Sequence, residues 1–378
     1  MNRQAQRPPS AVHRRAAPTA PMQQGHGPLR AGQHIGTLKV DTGTGRRPPA
    51  HCAGAAAAIW LGWAAAAGGC APADNKAQGA DTGGTDTGAA QGPTLRPLAT
   101  PSGDCPDLST TGSFTMTSGG VQRAGSVVVP AAPAEPMRVM VFLHGLMDPS
   151  STPDPTGAMI RGLRLQQVAD THNALILLPQ SGIMELLGFR FFLWDLAVET
   201  DGDLVLFDDL RSCAAAQHTL DLDTTTAFGF SGGALFTTVL MRERGDALAA
   251  AVEASGGADI TAPIWSTPGA AYGSPPNPLP TLLISGGEAD VWPDPSLTIV
   301  DFSAATDTLE SKLVSDGHPV VRCRHTSGHS LPQRAYDYAL AWAFGHRFTE
   351  PSPWQDGPDA ENADWCAPGQ TPAADGAR

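Results

Sequence analysis

Gly229-Phe230-Ser231-Gly232-Gly233 follows Thr225-Thr226-Ala227-Phe228 and precedes Ala234-Leu235-Phe236-Thr237-Thr238-Val239-Leu240-Met241. The first flank is short, apolar and β-prone. The second can continue as a helix. A G-x-S-x-G turn between a strand and a helix forces the serine into a tight, exposed bend, and side chains at the flanking glycines would clash across it. The backbone N–H of Gly232 then points to where an oxyanion would form beside Ser231. The chain holds 42 glycines, so the pentapeptide by itself is weak; its flanks and its downstream partners carry the reading.

Outward from this turn, the chain alternates strand-like and helix-like runs. Val139 to Leu143, Ala174 to Leu178, Ala249 to Ala254, Pro280 to Ser285 and Val320 to Cys323 are continuous apolar runs, as strands covered on both faces require. Helices are expected over 157–172, 204–218, 302–317 and Pro332 to Phe344. Residues 112–129 read as two short strands around Ser118-Gly119-Gly120. This pattern predicts an α/β fold: a mostly parallel central sheet, helices on both faces and an antiparallel N-terminal edge.

A serine hydroxyl needs a base within hydrogen-bond reach, and the base needs a carboxylate to fix its tautomer. His329 lies between the last strand and the last helix, at the carboxyl edge of the sheet where sites of open α/β folds lie. His325 is its rival. Asp290 follows the Pro280–Ser285 strand, with Glu288, Asp294 and Asp301 as alternatives. Leu146, after His144-Gly145, is the candidate second oxyanion donor beside Gly232, and His144 is expected to order that loop. Phe191, Phe192 and Trp194, and Trp265 and Tyr272, are candidate rim aromatics, of which one or two are expected to line the pocket, core packing being the expected role of each taken singly. The segment 256–279 is too short for a large lid. No metal-ligand spacing and no cofactor fingerprint appears, so no metal or cofactor is expected.

The chain resembles secreted esterases of the α/β-hydrolase fold grouped with poly(3-hydroxybutyrate) depolymerases and feruloyl esterases. The likeness covers roughly residues 112–346. It rests on Leu143-His144-Gly145, the Ser231 pentapeptide, Gly286-Gly287-Glu288-Ala289-Asp290 and Cys323-Arg324-His325-Thr326-Ser327-Gly328-His329-Ser330-Leu331-Pro332. It implies a catalytic triad in the chain order Ser231, Asp290, His329, and it favours Asp290 among the acids. The expected activity is hydrolysis of soluble or oligomeric carboxylic esters. Rivals are a prolyl-oligopeptidase-type peptidase and a non-catalytic surface-binding domain on the same scaffold.

Composition sets the surroundings. Net charge is −13, and eight of the 24 Lys and Arg lie within residues 1–69 beside a single acid, so the remainder is more acidic still. Such a body disfavours nucleic acid as a partner. Residues 1–53 read as a leader. Gly54 to Gly69 is a 16-residue small and apolar run, short for a span but suited to a signal segment. Ala67-Gly68-Gly69-Cys70 resembles a bacterial lipobox, with Ala67 where Leu is preferred, so Cys70 is the candidate lipidation site and the lipid the expected membrane contact. Residues 71–104 read as a disordered tether, 105–348 as the catalytic domain and 349–378 as an irregular tail. Cys105, Cys213, Cys323 and Cys366 lack metal-site spacing, so disulfides in an oxidising compartment are expected. In the strand order the resemblance implies, the pairs are Cys105–Cys213 and Cys323–Cys366.

Overall fold

The computed structural model describes residues 92–186, 188–261 and 268–370. The leader, the signal segment with Cys70, the tether as far as residue 91, and Trp265 lie outside them. In chain order the elements are β1 (Gly112–Ser118), β2 (Val121–Val128), β3 (Arg138–Leu143), α1 (Pro155–Gly162), α2 (Leu165–His172), β4 (Ala174–Pro179), β5 (Ile183–Leu186), β6 (Phe189–Phe192), α3 (Gly202–Gln217), β7 (Thr226–Phe230), α4 (Gly232–Arg244), β8 (Ala250–Ala254), β9 (Thr281–Ser285), β10 (Val291–Asp294), β11 (Leu297–Asp301), α5 (Phe302–Ser315), β12 (Val320–Arg324), α6 (Gln333–Gly345) and β13 (Cys366–Pro368).

The main sheet has the order β1-β2-β4-β3-β7-β8-β9-β12-β13. The strands from β4 to β12 run parallel, while the antiparallel hairpin β1–β2 forms one edge, with β2 against β4, and the antiparallel β13 forms the other. Alternation along β3 shows why its run is apolar throughout. Val139, Val141 and Leu143 join the core under α3, α4 and α5, and Met140 and Phe142 join the core under α2 and α6. Burying each such side chain contributes roughly 1.5–3 kcal/mol. Both cores therefore clamp the strand whose end carries the His144 loop.

Three expectations need correction. The helix expected over 157–172 is two helices. Arg164 takes a left-handed φ of 52° between them. The break frees the Leu163 carbonyl, which accepts from the Tyr336 hydroxyl at 2.9 Å, and lets α2 bury Leu165, Val168 and Ala169. The tail expected to be irregular contains β13, whose Cys366 sits opposite Cys323 of β12. Its Trp354 stacks on Trp342, ring centroids 5.0 Å apart. Finally, residues 92–104 of the expected tether lie against the body. The Arg96 N–H donates to the Asp246 carbonyl at 2.7 Å, and the Ser102 N–H to Asp209 Oδ1 at 2.9 Å. Both expected disulfides are present, with Cα separations of 5.4 Å for Cys105–Cys213 and 4.0 Å for Cys323–Cys366. Among the described residues, no helix is long and apolar enough to cross a membrane.

Candidate active site

The Ser231 turn is built by its neighbours. β7 ends at Phe230, α4 starts at Gly232, and Ser231 between them has φ 56° and ψ −124°. Its N–H donates to the Ala254 carbonyl at 2.9 Å, which pins the bend to β8. A Cβ at Gly229 would collide with the Gly233 carbonyl, and one at Gly233 with the Leu143 carbonyl. The glycines are required because the turn, the start of α4 and the end of β3 share one space.

Three loops at the carboxyl edge of the sheet bring side chains to this turn. Ser231 Oγ–H donates to His329 Nε2 at 2.9 Å, and His329 Nδ1–H donates to Asp290 Oδ1 at 2.8 Å. The His329 ring is held between Phe302, with centroids 4.4 Å apart and planes 15° from parallel, and Phe230 at 5.2 Å. Asp290 has no exposed surface. Its second oxygen accepts from Ser255 Oγ–H at 2.9 Å and from the Gly286 N–H at 2.7 Å. That leaves Oδ1 to face the imidazole. Ser255 was not singled out from the sequence. It follows β8 directly in a left-handed conformation, φ 52°, which a non-glycine residue adopts at a cost.

The rivals are occupied elsewhere. His325 Nδ1 accepts from the Ser327 N–H at 3.1 Å. Asp294 accepts from Ser296, and Asp301 caps α5 by accepting from the Ala304 N–H. Glu288 is exposed.

His144 is buried, and loss of solvation lowers its pKa to about 4, so its ring is neutral. Nδ1–H donates to the Gly145 carbonyl at 2.7 Å, and Nε2 accepts from the Ser181 N–H at 3.1 Å. The Trp194 indole donates to the His144 carbonyl at 2.8 Å. This loop brings Leu146 to the nucleophile turn: a Cβ placed on Gly232 would lie 3.2 Å from the Leu146 nitrogen. Neither the Leu146 nor the Gly232 amide donates to a carbonyl among the described residues. Two unpaired N–H groups beside a serine oxygen are what an oxyanion requires.

Most of the expected rim aromatics are structural. Trp194 is buried and stacks on Phe236 at 4.9 Å, and Phe192 is buried. Tyr272 donates to Asp316 at 2.6 Å, where burial and that carboxylate raise its pKa. Phe191 is half-buried and meets Trp292 edge-on at 6.4 Å. Trp292 was missed from the sequence, although it stands two residues after Asp290.

The strand order, the strand–serine–helix turn and the helices on both faces make this an α/β-hydrolase fold. Among solved structures, native sOPH is similar over 72% of this chain and 96% of its own, at 21% identity and a TM-score of 0.56. A serine-to-alanine variant of pOPH in complex with pNPB is similar over 72% and 99%, at 17% identity and a TM-score of 0.56. No protein-family model and no curated protein matches the chain.

Proposed function

We propose that the chain hydrolyses carboxylic esters through an acyl-serine intermediate. The observation that carries this is the unbroken hydrogen-bonded line from Asp290 through His329 to Ser231, ending beside two unpaired amides. Ser231 Oγ attacks the ester carbonyl as His329 Nε2 takes its proton. The tetrahedral oxyanion accepts from the Gly232 and Leu146 N–H groups. Asp290 keeps Nδ1 protonated and stabilises the imidazolium. The imidazolium then gives its proton to the departing alcohol. Water, deprotonated by the same nitrogen, attacks the acyl group and releases acid and free serine.

The test is a panel of p-nitrophenyl esters with methyl ferulate and a peptide amide beside them, run on wild type and Ser231→Ala. Ester turnover by the wild type and its loss in the variant support the reading. A variant keeping a tenth of wild-type activity contradicts it, because triad removal typically leaves only about 10³–10⁴-fold catalysis over water. Turnover of the amide in preference to every ester would favour the peptidase. The same proposal places the protein outside the cytoplasm. Two disulfides fit an oxidising compartment. Cys70 would hold it at a membrane by lipid, which labelled palmitate uptake by wild type and its loss in Cys70→Ser would test.

A further inference from the structure

Six large apolar side chains are exposed among the described residues: Leu98, Val121, Ile183, Met184, Phe189 and Leu297. Four of these belong to two hairpins, β5–β6 and β10–β11. The most exposed of each are Phe189 at 58% and Leu297 at 60%. Neither hairpin belongs to the main sheet. Each is fastened instead to the machinery around Ser231. Phe192 of β6 exchanges two backbone hydrogen bonds with Met147, the residue after Leu146. Leu193, which follows it, lies 3.6 Å from where a Gly232 Cβ would stand. The β10–β11 hairpin starts one residue after Asp290 and ends at Asp301, next to the Phe302 that stacks on His329. The two hairpins meet where Phe191 contacts Trp292. Beside β6, a cleft of about 490 Å³ runs between residues 148–150 and 188–191. Of its two charged lining residues, Arg190 and Asp148, the second is turned into its own loop, accepting from Ser150.

Contiguous apolar side chains at the surface mark a binding site, and Phe189, Phe191 and Trp292 form such a run, with ring centroids 6.4 Å apart at each step. Both hairpins hang from the loops that hold the oxyanion donors and the acid, so this run borders the approach to Ser231. We propose that this face receives the hydrocarbon arm of the ester whose carbonyl sits at Ser231, making the substrate class esters with extended apolar chains. The proposal rests on the serine-esterase reading above. Each methylene that reaches the face should raise kcat/KM by roughly threefold.

The experiment compares kcat/KM for p-nitrophenyl octanoate and acetate in wild type, in the Phe189→Ser/Leu297→Ser double variant, and in Val121→Ser, whose exposed valine lies on the far edge hairpin β1–β2. The octanoate-to-acetate ratio should fall about tenfold in the double variant and stay unchanged in Val121→Ser. An unchanged ratio in the double variant, or an equal fall in Val121→Ser, overturns the proposal. Binding to neutral phosphatidylcholine vesicles is measured in parallel. If the double variant loses vesicle binding with its ester ratio intact, the face belongs to a membrane and the proposal fails. Fluorophosphonate labelling of Ser231 in the same preparations separates these outcomes from failure of the triad itself.

Discussion

Asp290 shares its charge among three donors, and only one of them is the base. The Ser255 hydroxyl fixes Oδ2, so the carboxylate cannot rotate away from His329. A hydrogen bond to a charged group contributes roughly 1.5–3 kcal/mol. Ser255→Ala should therefore lower kcat about tenfold with KM little changed. Ser255→Gly relieves the left-handed strain, so it should be at least as stable as Ser255→Ala yet equally slow. Thermal melts beside steady-state kinetics decide it; activity tracking stability across the pair would reduce Ser255 to a packing residue. At the same scale, His329→Ala should lose turnover and His325→Ala should keep most of it, and the reverse outcome would exchange their roles. The sequence carried no sign of Ser255, since its contact joins two strand ends 35 residues apart. Ser231 and His329 stood out in the sequence by glycine spacing and strand–loop–helix punctuation, whereas Asp290 was preferred over Glu288, Asp294 and Asp301 only through the resemblance.

At the scale of elements, β8 buries a carboxylic acid beneath the site. Glu253 has no exposed surface, and burial pushes its pKa up to about 8. In its neutral form it donates to Thr238 Oγ1 at 2.8 Å, and that hydroxyl donates in turn to the Gly257 carbonyl. The Gly257 N–H completes the ring by donating to Oε2 at 2.9 Å. The sign of the pH dependence follows. In the unfolded chain the carboxyl ionises near its ordinary value of 4.5, while the fold holds the proton until about 8. This group's contribution to stability is full below about pH 4.5 and is lost as pH rises to about 8. Glu253→Gln reproduces the neutral acid's donor and acceptor, so its melting temperature should lose that decline. Melting curves from pH 5 to pH 9 on both proteins check it, and parallel declines would mean that Glu253 is not the titrating group. The apolar strands were readable as runs, but β5, β6, β10 and β11 were not. They are hairpin strands of four or five residues in which Phe192, Val291 and Val300 are buried while Phe189 and Leu297 are exposed, too short a run to show a clean burial period. The α1–α2 break was equally silent, because a non-glycine residue, Arg164, takes the left-handed turn.

Across the whole molecule, the two disulfides do different work. Cys105–Cys213 closes a span of 108 residues and ties the N-terminal segment to α3, away from the Ser231 loops. Replacing it with Cys105→Ser/Cys213→Ala should cost about 2–5 kcal/mol, by urea unfolding, while leaving kcat of the folded protein unchanged. A fall in kcat without loss of stability would tie this segment to the chemistry. The sheet order and the resemblance together made both pairings legible. The docking of residues 92–104 was not, because it depends on single contacts such as Arg96 with Asp246, which composition does not reveal.

The central claim is that Ser231 is a nucleophile activated by His329. Peptide mapping after treatment with a fluorophosphonate tests it most directly. The wild type should carry one covalent adduct, on Ser231, and the label should be nearly absent from His329→Ala while that variant remains folded. An adduct on another serine, or undiminished labelling of Ser231 without His329, would contradict the account.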